Sequence, residues 1–119
     1  MKRNILIVED EMIIALMLEK MVLKNGHNVV AKVTTGEAAV EATKRHKPDL
    51  ILMDIRLDGQ IDGIDAMQAI NSENPTPVIF VTGNSDEIYK NRIKRVKYLD
   101  FLTKPVSYQE LSRSLDMAS

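Results

Sequence analysis

Three short apolar runs punctuate the chain, and each stops abruptly at polar residues. Ile5-Leu6-Ile7-Val8 stops at Glu9-Asp10, Leu50-Ile51-Leu52-Met53 stops at Asp54, and Val78-Ile79-Phe80-Val81 stops at Thr82-Gly83. Uninterrupted apolar runs of this length read as strands buried on both faces, which favours a parallel sheet. Two weaker segments join them. Asn28 to Val33 is β-branched and reads as a strand, and Asp100 to Leu102 reads as a short one ending at Thr103-Lys104-Pro105.

Helical stretches fill the gaps. The first runs from about Glu11 to Lys24 and closes on Asn25-Gly26, a helix-ending pair. Thr34 with Glu37 offers a capping box for a second helix reaching Lys44 or His46, with Ala38, Ala39, Val40 and Ala42 as its apolar face. After Asp54, the segment Ile55 to Gly63 carries two Asp/Gly turn signals, and a helix is expected from about Ile64 to Asn71. Asn84 and Glu87 can cap a fourth helix to about Val96, and Ser107 with Glu110 caps a fifth to about Met117. Five strands alternating with five helices predict an α/β fold, a parallel sheet covered on both faces. Residues 1–119 are expected to form one domain, since the connections leave no room for another.

Composition narrows the chemistry. Hydrophobic residues make up 45% and charged residues 28%, which fits a globular protein rather than a disordered one. A net charge of −1 gives no overall pull toward nucleic acid or an anionic membrane. The absence of cysteine excludes disulfides, thiolate metal sites and Cys nucleophiles. His27 and His46 lack metal-ligand spacing and read as ordinary surface or loop residues. The apolar run after the basic start is too short for a signal-peptide core or a membrane span, so the expected compartment is the cytoplasm.

The strand ends carry the functional signal. In open parallel sheets the ligand crevice lies outside the carboxyl ends of the strands. Glu9, Asp10, Asp54, Thr82 and Lys104 all follow or end strands, so the topology places them on one edge. Alone, each is bland: an Asp after a strand is usually a turn or cap residue, and a Lys before Pro is usually on the surface. Together they suit one chemistry. Clustered carboxylates repel unless a cation sits among them, and oxygen ligation with an incomplete protein shell suits Mg²⁺. A lysine and a hydroxyl donor suit phosphate oxygens. The set describes phosphoryl transfer with Asp54 as nucleophile.

The blocks Ile5 to Glu11, Pro48 to Ile55, Val78 to Gly83 and Phe101 to Pro105, with their spacing, resemble the receiver domain of two-component response regulators over essentially the whole chain. The resemblance implies a flavodoxin-like (βα)5 sheet with strand order 2-1-3-4-5. It implies that Asp54 takes a phosphoryl group from a phosphohistidine on a sensor histidine kinase or phosphotransfer protein. Glu9, Asp10, Asp54 and the backbone carbonyl of Arg56 would hold Mg²⁺, with Mn²⁺ as the alternative ion. Thr82 and Lys104 would contact the phosphoryl group, and Thr82 with Phe101 would form the switch. The chain would catalyse its own phosphorylation and hydrolysis without turning over an external substrate. The rival readings are a phosphorylation-independent interaction module and a Mg²⁺-dependent phosphohydrolase.

Departures from the family pattern cluster after the acceptor. Leu57-Asp58 replaces the usual Met-Pro, the loop to Gly63 is one residue longer, Phe101 lacks a tyrosine hydroxyl, Lys97-Tyr98-Leu99 precedes it, and the acidic pair is Glu-Asp. The fourth helix carries Lys90, Arg92, Lys94, Arg95 and Lys97, which read as a solvated face. With no aromatic interleaving, direct nucleic-acid binding is not expected. By resemblance, that helix, the fifth strand and the last helix form the output face for a homodimer or effector. The first helix is more apolar than one buried face requires, and the surplus around Met12 is a candidate docking face for a kinase or phosphotransfer helix pair.

Overall fold

The computed structural model describes residues 2–83 and 87–118. The elements run β1 (Asn4–Val8), α1 (Met12–Lys24), β2 (Asn28–Val33), α2 (Gly36–His46), β3 (Leu50–Asp54), α3 (Gly63–Glu73), β4 (Val78–Thr82), α4 (Glu87–Ile93), β5 (Asp100–Thr103) and α5 (Tyr108–Met117). The strands form one sheet in the order β2-β1-β3-β4-β5, and every pairing is parallel. The expected α/β fold and strand order are borne out.

The apolar runs explain the burial. β3 and β4 are buried along their whole length, whereas edge strand β2 is mostly half-buried. Alternate residues feed two cores. Leu6, Val8, Ile51, Met53, Val78 and Phe80 face Ala39, Met67 and Ile70 of α2 and α3, with Ile93 and Val96 from the α4 side. Ile5, Ile7, Leu50, Leu52, Ile79 and Val81 face Leu18 and Val22 of α1 and Leu111 and Leu115 of α5. Helices on both faces leave only the strand ends open. The chain leaves β1 toward β2 on one side, then crosses to β3 on the other. That reversal splits the helices apart between β1 and β3, where Glu9 and Asp54 emerge.

Local chemistry corrects several boundaries. Thr34 does not cap α2; Thr35 does, its hydroxyl accepting the Ala38 N–H at 3.0 Å. The one-residue shift frees the Glu37 carboxylate, which turns to the loop after β3 and accepts from the N–H groups of Gln60 and Ile61 at 3.4 and 3.2 Å. α3 starts one residue earlier than expected and runs on to Glu73, because Asp62 is its cap and accepts from the Asp65 N–H at 2.9 Å. Gly63 is required there: a Cβ would lie 2.1 Å from the Asp54 carbonyl oxygen. Its N–H donates to the Ile55 carbonyl at 2.8 Å and closes residues 55–63 into a loop. Gly59, within that loop, takes φ +101°, a conformation natural to glycine. α4 ends at Ile93 instead of Val96. The N–H groups of Arg95 and Val96 bond only three residues back, a tighter turn that still buries Val96. The expected cap at Asn84 lies outside the described residues. The Ser107–Glu110 capping box forms in both directions. His27 is more than a surface residue, since its Nδ1 accepts the Arg3 N–H at 3.0 Å.

Candidate functional site

Four of the five strand ends deliver groups to the rim. Asp54 closes β3 and is 3% exposed, and Glu9 follows β1 at 1%. Glu9 is fixed by its backbone, whose N–H extends the β1–β2 ladder to the Val33 carbonyl at 3.0 Å. Its Oε2 accepts the Glu11 N–H at 3.0 Å. Thr82 closes β4 and is buried. Lys104 follows β5, and its N–H donates to the Thr82 carbonyl at 2.8 Å. That anchor aims the lysine stem inward, where its ammonium donates to Asp54 Oδ2 at 3.1 Å and pairs with Glu9 Oε1 at 2.6 Å. The Arg56 N–H donates to Asp54 Oδ1 at 3.3 Å. Above them lies an open depression of about 300 Å³, lined by Asp10, Asp54, Arg56, Thr82 and Lys104.

Charge at the rim is unbalanced. One carboxylate oxygen from each of Glu9, Asp10 and Asp54 lies within 4.8 Å of the others. With all three ionised, Lys104 cancels one charge and leaves a surplus of two. Burial pushes the carboxyls of Asp54 and Glu9 above their ordinary values, and Lys104 offsets this only in part. Asp10 is raised as well, first by burial and then by Glu9. Lys104 is pulled upward despite its burial, because both carboxylates favour its ammonium form. Glu9 Oε1 is buried and meets the Lys104 ammonium at 2.6 Å, a charge-assisted contact. Three carboxylates within reach of one point and a surplus of two negative charges fit a divalent cation with oxygen ligands.

The structure brings Glu9, Asp10, Asp54, Thr82 and Lys104 together, with Arg56 at the border. Phe101 stands apart. It lies on β5 in register with Phe80 of β4, half-buried against the core. Sequence reasoning missed a second ionic cluster beside the rim. Arg92 on α4 reaches Asp62 Oδ2 at 2.6 Å, Asp62 Oδ1 at 3.1 Å and Asp65 Oδ1 at 3.1 Å. The available signal was Asp62 and Asp65 three apart at a helix start, two carboxylates on one turn facing the same way.

A model of the response regulator receiver domain family matches residues 5–116. The chain belongs to this family. It is similar to the transcriptional regulatory protein PdtaR of Mycobacterium tuberculosis, at 34% identity over 98% of this chain and 56% of that protein. It is also similar to a protein-glutamate methylesterase/protein-glutamine glutaminase of Archaeoglobus fulgidus, at 30% identity over 98% of this chain and 36% of the relative. The receiver thus spans about half, or less, of these relatives' lengths. Among solved structures, the signal receiver domain of a modulated diguanylate cyclase from Desulfovibrio desulfuricans superposes with a TM-score of 0.93 at 34% identity, covering 99% of this chain and 94% of that one. Receiver domains are regulatory phosphoacceptor modules of two-component signalling, and the Glu9, Asp10 and Asp54 cluster fits the phosphorylation and Mg²⁺ site of such a module. Among the described residues, no helix of the receiver is long and apolar enough to cross a membrane.

Proposed function

We propose that this receiver, residues 1–119 as one domain, accepts a phosphoryl group on Asp54 from the phosphohistidine of a sensor histidine kinase or phosphotransfer protein. The observation that carries the reading is the Lys104 ammonium bridging Asp54 and Glu9 inside the carboxylate trio. An Asp54 carboxylate oxygen attacks phosphorus, the P–N bond breaks, and the departing imidazole takes up a proton. The product is an aspartyl phosphate. Lys104, already 3.1 Å from Asp54 Oδ2, moves its charge onto the phosphoryl oxygens. Thr82, buried at the end of the neighbouring strand, supplies a hydroxyl to another oxygen. Glu9, Asp10, Asp54 and the Arg56 carbonyl are the residues that would hold Mg²⁺ or Mn²⁺. When bound, that ion neutralises charge on the phosphoryl oxygens.

Thr82 drawn toward the phosphoryl group, with Phe101 turning inward, is the switch, and the face made by α4, β5 and α5 is the output surface for an effector or second copy. Kinase or phosphotransfer helices dock on α1, where Met12 and Ile13 are 84% and 76% exposed. An apolar groove of about 290 Å³, lined by Ile14, Met17, Met21, Pro105 and Val106, runs from there to Lys104. The receiver works in the cytoplasm. Hydrolysis of external phosphate esters would need a dedicated acid/base beside Asp54; Arg56, always charged, cannot serve, and in this reading Glu9 and Asp10 are taken up by the metal and Lys104 by the phosphoryl group. An inert interaction module would have no use for a complete acidic trio and lysine.

Incubation with Mg²⁺ and a small phosphodonor, read by intact mass, tests the reading. Wild type should gain one phosphoryl group and Asp54→Asn none. Equal modification of both chains, or of neither, would refute the assignment of Asp54.

A further inference from the structure

The acceptor loop and α4 are joined by two contacts made on opposite limbs of the loop. On the first limb, Arg56 Nε donates to the Tyr89 hydroxyl at 3.3 Å. On the second, the Arg92 guanidinium takes both oxygens of Asp62 and one of Asp65. Asp62 is also the cap of α3, so the arginine grips a group whose backbone is already fixed. A planar guanidinium on a bidentate carboxylate is geometrically selective.

The two sides of this clasp are anchored unequally. The loop has supports of its own: the Gly63–Ile55 bond at its base, the Thr35–Asp58 bridge, and the Glu37 carboxylate on Gln60 and Ile61. α4 is a short helix of 7 residues; among the described side chains, its segment gives Ile93 and Val96 to the buried core, with Tyr89 packed half-buried against it. When the clasp opens, α4 is therefore the part that moves.

We propose that the Arg92–Asp62/Asp65 clasp is a latch that holds α4 in the unphosphorylated arrangement, so that its strength sets how readily the output face responds to a phosphoryl group on Asp54. The inference rests on the phosphoacceptor reading above. Phosphorylation that repositions α4 must break the clasp, and the interaction it loses is subtracted from the driving force. By linkage, opening the latch beforehand makes the acceptor site bind a phosphoryl mimic more tightly.

The test uses beryllofluoride with Mg²⁺ as the phosphoryl mimic, titrated by amide NMR, and hydrogen exchange of α4 amides in the ligand-free protein. Asp62→Asn keeps the cap acceptor but drops the charge. Arg92→Gln removes the fork, and Arg92→Lys keeps the charge without it. All three should speed α4 exchange and raise the apparent beryllofluoride affinity by about two- to fivefold, the range for a partly exposed ion pair, with Arg92→Lys the weakest. Glu37→Gln, which loosens the loop from the α2 side, should leave α4 exchange unchanged. Faster exchange with unchanged or weaker affinity would overturn the latch, as would unchanged exchange in Arg92→Gln. If wild type takes no beryllofluoride, the phosphoacceptor reading fails and the latch's signalling role falls with it. The exchange data would still show whether the clasp restrains α4, so the two failures are separable.

Discussion

Two ionic clusters sit side by side on the receiver, and they treat charge in opposite ways. At the rim, Glu9 and Asp54 share the ammonium of Lys104 with Asp10 close by, and all three carboxyls are pushed above their ordinary values. Beside it, Asp62 and Asp65 share the guanidinium of Arg92. Burial alone would raise Asp62, yet the Arg92 hydrogen bond and the Asp65 amide outweigh it, and its carboxyl ends below the ordinary value. The first cluster is buried, crowded and short of positive charge. The second is half-exposed and bidentate, and its surplus is one negative charge instead of two. A buried cluster short of two positive charges is built to receive a cation, whereas a solvent-screened pair gripped by a guanidinium is built to hold two elements together.

The largest way to break the comparison is to remove the cation from each. Lys104→Met leaves buried carboxylates without compensation, and breaking such a pair costs several kcal/mol. Because the depression admits water, we expect the low end, about 3 kcal/mol lost in Mg²⁺-free urea unfolding. Arg92→Gln breaks a pair whose members are 29% and 23% exposed, and should cost about 1 kcal/mol or less. Equal costs for the two substitutions would mean that the rim carries no surplus charge.

Much of this contrast could be read from the sequence, and the reason is local. Glu9, Asp54, Thr82 and Lys104 follow segments that end sharply in polar residues, and parallel strands put all their carboxyl ends on one edge. Convergence follows without knowledge of any side-chain contact. The clasp had no such guide. Arg92 sits among Lys90, Lys94 and Arg95, so a reading along its own helix sees a solvated basic face. Its partners lie on another helix, and only the packing of α4 beside α3 joins them. The start of α2 failed for a smaller reason. Thr34 and Thr35 both offer a hydroxyl, and the choice is made by the bridge from Thr35 to Asp58, a contact from across the fold. The end of α4 misled because Val96 is apolar and buried, but it reaches the core through a turn and not through another helical residue.

Adding Mg²⁺ sharpens the comparison. An ion that binds only the folded state at a hundredfold excess over its Kd adds about 2.7 kcal/mol. Wild-type thermal unfolding should therefore shift upward by several degrees with saturating Mg²⁺. Asp10→Asn should lose most of that shift, while Asp62→Asn should keep it. A Mg²⁺ response that Asp62→Asn abolishes would place the ion in the wrong cluster.

The smallest effect is the pH dependence of the clasp. A carboxyl held below its ordinary value of 3.8 binds its proton less readily folded than unfolded. Its contribution is complete above that ordinary value and disappears as pH falls through the lower, folded one. The stability difference between wild type and Asp62→Asn should accordingly stay flat from neutral pH down to about pH 5 and shrink only in stronger acid. Denaturant unfolding at stepped pH reads this directly. A difference that already collapses between pH 7 and 5 would mean that Arg92 does not hold Asp62 ionised, and the clasp would then resemble the rim. A flat profile leaves α4 clasped throughout the neutral range, where the latch can be opened by events at Asp54 and not by ambient acidity.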